Sequence, residues 1–179
     1  MNNLPTRKNT RLKDFDYGSY GYYYVTICTN NKKNILCDIV GNDALVVPSK
    51  IGKKVIECWN NIAKLNENVE IDKFVLMPNH IHGIIIIKNE SDIETIDKQY
   101  GFEVAERRGR RSLQCLIKDF KSVTTRHYKK IKNITQEISL WQTSYYDEII
   151  KNQFHYDNIW QYIDTNPLKW ELDKYYIKN

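Results

Sequence analysis

Two β-forming runs, residues 69–77 and 80–88, meet at Pro78-Asn79, a dipeptide with turn chemistry. Two strands joined by so short a turn constrain the chain most, because every other element must arrange itself around them. Before them, residues 20–29 (YGYYYVTICT) are rich in tyrosine, valine and threonine and read as a first strand. Residues 35–40 and 44–47 are short apolar runs suited to a small hairpin. Ser49 offers an N-cap, and Ile51, Val55, Cys58, Trp59, Ile62 and Leu65 then recur at helical spacing. Residues 90–109 are polar and without pattern, a loop. Leu113, Leu116, Ile117, Phe120, Val123, Thr124, His127 and Ile131 mark a second helix. A strand is expected over residues 140–150 and a third helix over 157–166, ended by Pro167 because the residue before proline avoids helical geometry. The order strand, helix, strand, strand, helix, strand is the split βαβ pattern of an α+β, ferredoxin-like fold. Its antiparallel sheet carries crossover helices on one face and leaves the other free for a site, with a C-terminal helix added.

With 179 residues, the chain is most simply one domain. We divide it into a basic N-terminal arm (1–19), a catalytic domain (20–170) and a C-terminal tail (171–179). The net charge of +5 is concentrated in Arg7, Lys8, Arg11 and Lys13 and in Arg107, Arg108, Arg110 and Arg111. Such clusters suit a polyanion, although a modest excess of this kind is also ordinary for a soluble protein. Thirteen tyrosines and four tryptophans fit either base stacking or a core. Cys28, Cys37, Cys58 and Cys115 form no CxxC pair and no zinc-ligand spacing. Cys58 and Cys115 fall on apolar helix stripes and read as small hydrophobes. With no signal-peptide run and no stretch of membrane-spanning length, the expected location is the cytoplasm and not a membrane, with nucleoid association following only if the partner is DNA.

His80 and His82 flank Ile81 inside a strand, so they point to one face and Ile81 to the other. Two imidazoles held side by side can bind a divalent metal and leave positions open for a phosphate oxygen. The same pair also suits the solvated face of an edge strand. On the last helix the apolar stripe is Tyr156, Ile159, Trp160 and Ile163, and Tyr162 lies roughly 110–120° from its centre. Asn166 follows one turn later on the side of Tyr162. The two can present a nucleophile and a metal ligand together, or simply be a half-exposed tyrosine and a helix-ending asparagine.

Residues 23–29 (YYVTICT), 75–83 (VLMPNHIHG), 120–124 (FKSVT), 140–142 (LWQ), 145–150 (YYDEII) and 162–170 (YIDTNPLKW) together resemble the HUH endonucleases, named for histidine-hydrophobe-histidine. Within these the chain is most similar to the single-tyrosine transposases, in their REP-associated branch, and the match runs over about residues 7–170. The resemblance implies His80, His82 and Asn166 as ligands of Mg²⁺ or Mn²⁺ and Tyr162 as the nucleophile. It implies cleavage and rejoining of single-stranded or hairpin DNA through a 5′-phosphotyrosine. The basic clusters would contact phosphates. Relatives of the insertion-sequence branch act as dimers, so a homodimer belongs to the expectation. The loop over 90–109 is shorter than in such proteins, and Glu148 stands where histidine is frequent. No dedicated general base is evident, although His155 lies on the side of Tyr162. Two rivals remain: a non-catalytic nucleic-acid-binding module with aromatics on an open sheet face, and a metal phosphodiesterase that uses activated water.

Overall fold

The computed structural model describes residues 20–88 and 112–177. Its main sheet has four strands: β1 (Gly21–Cys28), β4 (Val69–Leu76), β5 (His80–Ile87) and β6 (Tyr146–Ile150). They lie in the order β4-β5-β1-β6, and every neighbouring pair is antiparallel. Strands β2 (Cys37–Val40) and β3 (Leu45–Pro48) form the expected small hairpin beside it. Helices α1 (Lys50–Lys64) and α2 (Leu113–Lys132) are the two crossovers. The fold is ferredoxin-like α+β, as the element order predicts.

Local chemistry sets the element ends. The Ser49 side chain accepts from the Gly52 N–H and starts α1, while Ser112 accepts from Cys115 and starts α2. Asn133 ends α2 in the left-handed conformation. The third helix, α3 (Gln153–Thr165), begins four residues before the expected start at 157. Asn152 caps it by accepting from the His155 N–H at 2.8 Å, and Gln153 donates to Asp157 one turn on.

The larger core lies between the sheet and the α1/α2 layer. Val25, Ile27, Ile81 and Ile85 of the sheet meet Val55, Trp59, Leu116 and Phe120 of the helices. Gly83 belongs to this face, and a Cβ there would lie 2.3 Å from Cζ2 of the fully buried Trp59. The glycine after the second histidine thus lets the indole lie flush on β5. Gly83→Ala is expected to cost about 3 kcal/mol through overpacking, measured as a drop in the urea unfolding midpoint.

The opposite sheet face is not free. Helix α3 lies on it, and Ile159 and Ile163 pack against Tyr24 and Ile84, flanked by Tyr156 and Tyr146. A register shift in β4 between Ile71 and Phe74 turns both Asp72 and Lys73 toward this helix. Asp72 accepts from the Tyr156 hydroxyl, whereas Lys73 pairs with Asp164 and sits 3.6 Å above the Trp160 ring. Trp160 therefore leaves the apolar stripe and packs under a cation at the surface.

Two expectations are corrected. The strand expected over 140–150 occupies only Tyr146–Ile150, because Leu140 and Trp141 are apolar for another reason. They are buried in the core, tied to Thr29 through a single bridge. Cys115 is exposed and Cys58 only partly buried, so neither is the buried core residue its stripe suggests.

Candidate metal and nucleophile site

β5 is a central strand, and both histidines have no solvent-accessible surface. The edge-strand reading of the pair therefore fails. Strand alternation puts them on the α3 face, where His80 Nε2 and His82 Nε2 lie 2.9 Å apart. Tyr162 Oη lies 3.4 Å from His82 Nε2, although its residue is 39% exposed. Asn166, almost fully buried, donates from Nδ2 to Asp173 Oδ2 at 3.0 Å. Its Oδ1 is buried with no hydrogen-bond partner. An orphaned buried carbonyl oxygen is costly, and a cation would satisfy it.

Asp173 joins these residues without any signal in the sequence. Its Oδ2 also accepts from Tyr162 Oη at 3.4 Å, and Oδ1 accepts from the Tyr175 N–H. Ligand atoms of His80, His82 and Asp173 lie within 4.8 Å of one another. Two imidazole nitrogens and a carboxylate lie close enough together to hold a divalent cation, a mixed nitrogen and oxygen set that suits Mn²⁺ or Mg²⁺. The carboxylate comes from the segment after Pro167, which carries no periodic signal. This segment folds back over β5, with the Tyr175 ring 4.7 Å from that of His80 and 6.1 Å from that of His82. Asn79 holds it there by donating to the Tyr175 carbonyl at 2.8 Å.

Burial lowers the proton affinity of both histidines; the Asp173 carboxylate opposes this at His80, while Lys174 adds to it at both rings and His80 adds to it at His82. Both imidazoles are therefore neutral, the form that binds metals. Burial, reinforced by the Asp173 carboxylate, pushes the Tyr162 phenol up to about 12. Hydrogen bonds from Asn166 and Tyr24 pull the other way. A cavity of about 540 Å³ opens beside Tyr162, lined among others by Tyr24, Glu148, Lys169 and Lys174.

His155 is not aimed at Tyr162. Its Nε2 lies 3.5 Å from Glu148, and its Nδ1 accepts from the Lys151 N–H. Arg7, Lys8, Arg11, Lys13, Arg107, Arg108, Arg110 and Arg111 lie outside the described residues. No helix among the described residues is long and apolar enough to cross a membrane.

Among solved structures, a REP-associated tyrosine transposase bound to a REP hairpin superposes with a TM-score of 0.56. The overlap covers 87% of this chain and 73% of that one, at 15% identity, a likeness of fold. The chain has the fold of the HUH transposases. It belongs to the family of an uncharacterized protein of Haemophilus influenzae (strain ATCC 51907 / DSM 11121 / KW20 / Rd), with 34% identity over 173 residues, 96% of this chain and 93% of that protein. It matches no protein-family model.

Proposed function

We propose that the protein is a transposase-like, metal-dependent endonuclease and strand transferase acting on single-stranded or hairpin DNA. The carrying observation is that Tyr162 Oη stands 3.4 Å from His82 Nε2, at the edge of the His80–His82 pair. His80, His82, Asn166 and Asp173 would hold Mg²⁺ or Mn²⁺. A bound divalent cation supplies charge neutralisation at a phosphate oxygen.

Tyr162 Oη attacks phosphorus, the bond from phosphorus to the 3′-oxygen breaks, and the phenolic proton is lost. The products are a 5′-phosphotyrosine and, after protonation, a 3′-hydroxyl. A second 3′-hydroxyl reverses the exchange and frees the tyrosine, without ATP, because the covalent link conserves the phosphodiester. Lys169 and Lys174 in the adjoining cavity offer positive charge to the backbone on either side. The basic residues at 7–13 and 107–111 extend that contact in this reading.

A binding module alone fits less well. Helix α3 occupies the sheet face that stacking would need, and Tyr24 is buried beneath it. The test is a covalent protein–DNA band on a denaturing gel after incubation with Mn²⁺ and labelled hairpins from DNA flanking the gene. A band that disappears in His80→Asn supports the reading. Cleavage with no covalent band supports activated water instead, and hairpin binding with no cleavage under either metal supports the binding module.

The Tyr175 ring lies over both histidines, so a phosphate reaches them only when this side chain swings aside and leaves Asp173 in place. Tyr175→Ala is expected to increase cleavage at limiting DNA on the order of tenfold, by raising the fraction of open molecules. Initial rates against DNA concentration check this: the gain should vanish at saturation if opening limits binding alone.

A further inference from the structure

The two histidines are held by different chemistry on their Nδ1 sides. Asn79 Nδ2 is committed to two carbonyl oxygens, of Lys32 at 3.2 Å and of Tyr175 at 2.8 Å. Its Oδ1 therefore faces His80 Nδ1 at 2.8 Å and can only accept. His80 thus carries its proton on Nδ1, and its Nε2 presents a lone pair.

His82 Nδ1 faces no such fixed acceptor. Thr26 stands directly across from His82 in the β1–β5 register, and its Oγ1 is 2.8 Å from Nδ1. Tyr24 Oη is also 2.8 Å from Nδ1 and 3.2 Å from Thr26 Oγ1. A hydroxyl either donates or accepts by rotating its proton. Without a cation, two bare Nε2 atoms at 2.9 Å would repel. His82 then carries its proton on Nε2, donates to His80 Nε2, and accepts at Nδ1 from a hydroxyl. With a cation both Nε2 lone pairs are needed. As the cation enters, the proton on His82 Nε2 passes to water and Nδ1 takes one from water by way of the hydroxyls, which stay neutral, so that Nδ1 now donates to Tyr24 or Thr26. The charge of the ring is unchanged.

Resting on the metal-site reading above, we propose that Tyr24 and Thr26 are positioning residues acting through His82, whose tautomer their hydroxyls allow to switch when a divalent cation enters. A carboxylate in their place would lock Nδ1–H and leave the empty pair repulsive. A lone donor would block the metal-holding form. Two hydroxyls satisfy both states, so the buried pair is stable with or without its ion.

The test is long-range ¹H–¹⁵N NMR of the full chain with labelled histidine, first metal-free and then with Zn²⁺ as a diamagnetic probe. The expected metal-free signature is Nδ1–H for His80 and Nε2–H for His82, with both rings Nδ1–H once Zn²⁺ is bound. The double variant Tyr24→Phe/Thr26→Val should bind Zn²⁺ on the order of 10–100-fold more weakly, and Thr26→Ser should retain wild-type affinity. An unchanged His80 signature reports an intact site in each variant. A His82 that is Nδ1–H before metal is added, or a double variant with wild-type affinity, overturns the proposal alone. If Zn²⁺ perturbs neither histidine, the proposal falls together with the metal-site reading.

Discussion

Tyr162→Phe is expected to lower DNA cleavage by about 10⁴-fold or more, on the scale of losing a covalent nucleophile, and to abolish the covalent band. It should leave the fold and the metal affinity near wild type. The ring is half out of the core, and its packing on Tyr24 and His82 survives loss of the hydroxyl. The hydroxyl's partners are Asp173, His82, Asn166 and Tyr24, and each retains another hydrogen bond. A selective loss of chemistry is therefore the signature. Since the phenol is pushed up to about 12, its anion is scarce near neutrality. The wild-type rate should then climb with pH toward the alkaline limit of the fold, close to tenfold per unit where deprotonation limits. A pH–rate profile under single turnover checks this. A flat profile would mean that proton loss is not on the rate-limiting path, and residual cleavage in Tyr162→Phe would assign the attack to water.

Much of this arrangement is legible along the chain, because it depends on local periodicities. A period of two puts His80 and His82 on one face, and Ser49 with its apolar repeat defines α1. The offset of Tyr162 from the α3 stripe predicts that it stands apart from the core, as its exposure bears out. What cannot be read locally is what covers what. The histidines are two polar residues in an apolar strand, and nothing within 80–87 says whether water or α3 lies above them. Asp173 and Tyr175 sit in a polar stretch with no period, and only the fold-back after Pro167 gives them a role. Thr26 is an intermediate case. Alternation places its side chain on the histidine face, but its pairing with His82 depends on the β1–β5 register. The β4 bulge is likewise silent in sequence, yet it turns Asp72 and Lys73 toward α3 and so helps to seat the helix that carries Tyr162.

The second large effect is the acid sensitivity of the metal-free protein. Burial holds both imidazoles below their ordinary proton affinity, and protonating His80 Nε2 would set two N–H groups face to face across 2.9 Å. In the unfolded chain the same rings titrate normally, near pH 6.5. The unfolded state thus binds more protons below that value, and stability rises with pH through the window. It is fully present above about pH 6.5 and falls as the pH drops toward the lowered folded values, by about 1.4 kcal/mol per unit for each ring. Acidification through this window therefore removes a substantial part of the roughly 5–15 kcal/mol typical of a domain. Urea unfolding between pH 7.5 and 4.5 in a chelator should show a slope approaching two protons per molecule, halved in His82→Asn. Added Mn²⁺ should stabilise the protein at neutral pH, because it binds the lone pairs that protons otherwise claim. It should also shift the acid transition downward, and this shift should disappear with His82. A slope near zero, or one unaffected by removing His82, would mean that the rings are protonated in the folded protein. The neutral donor pair on which the metal site depends would then be lost.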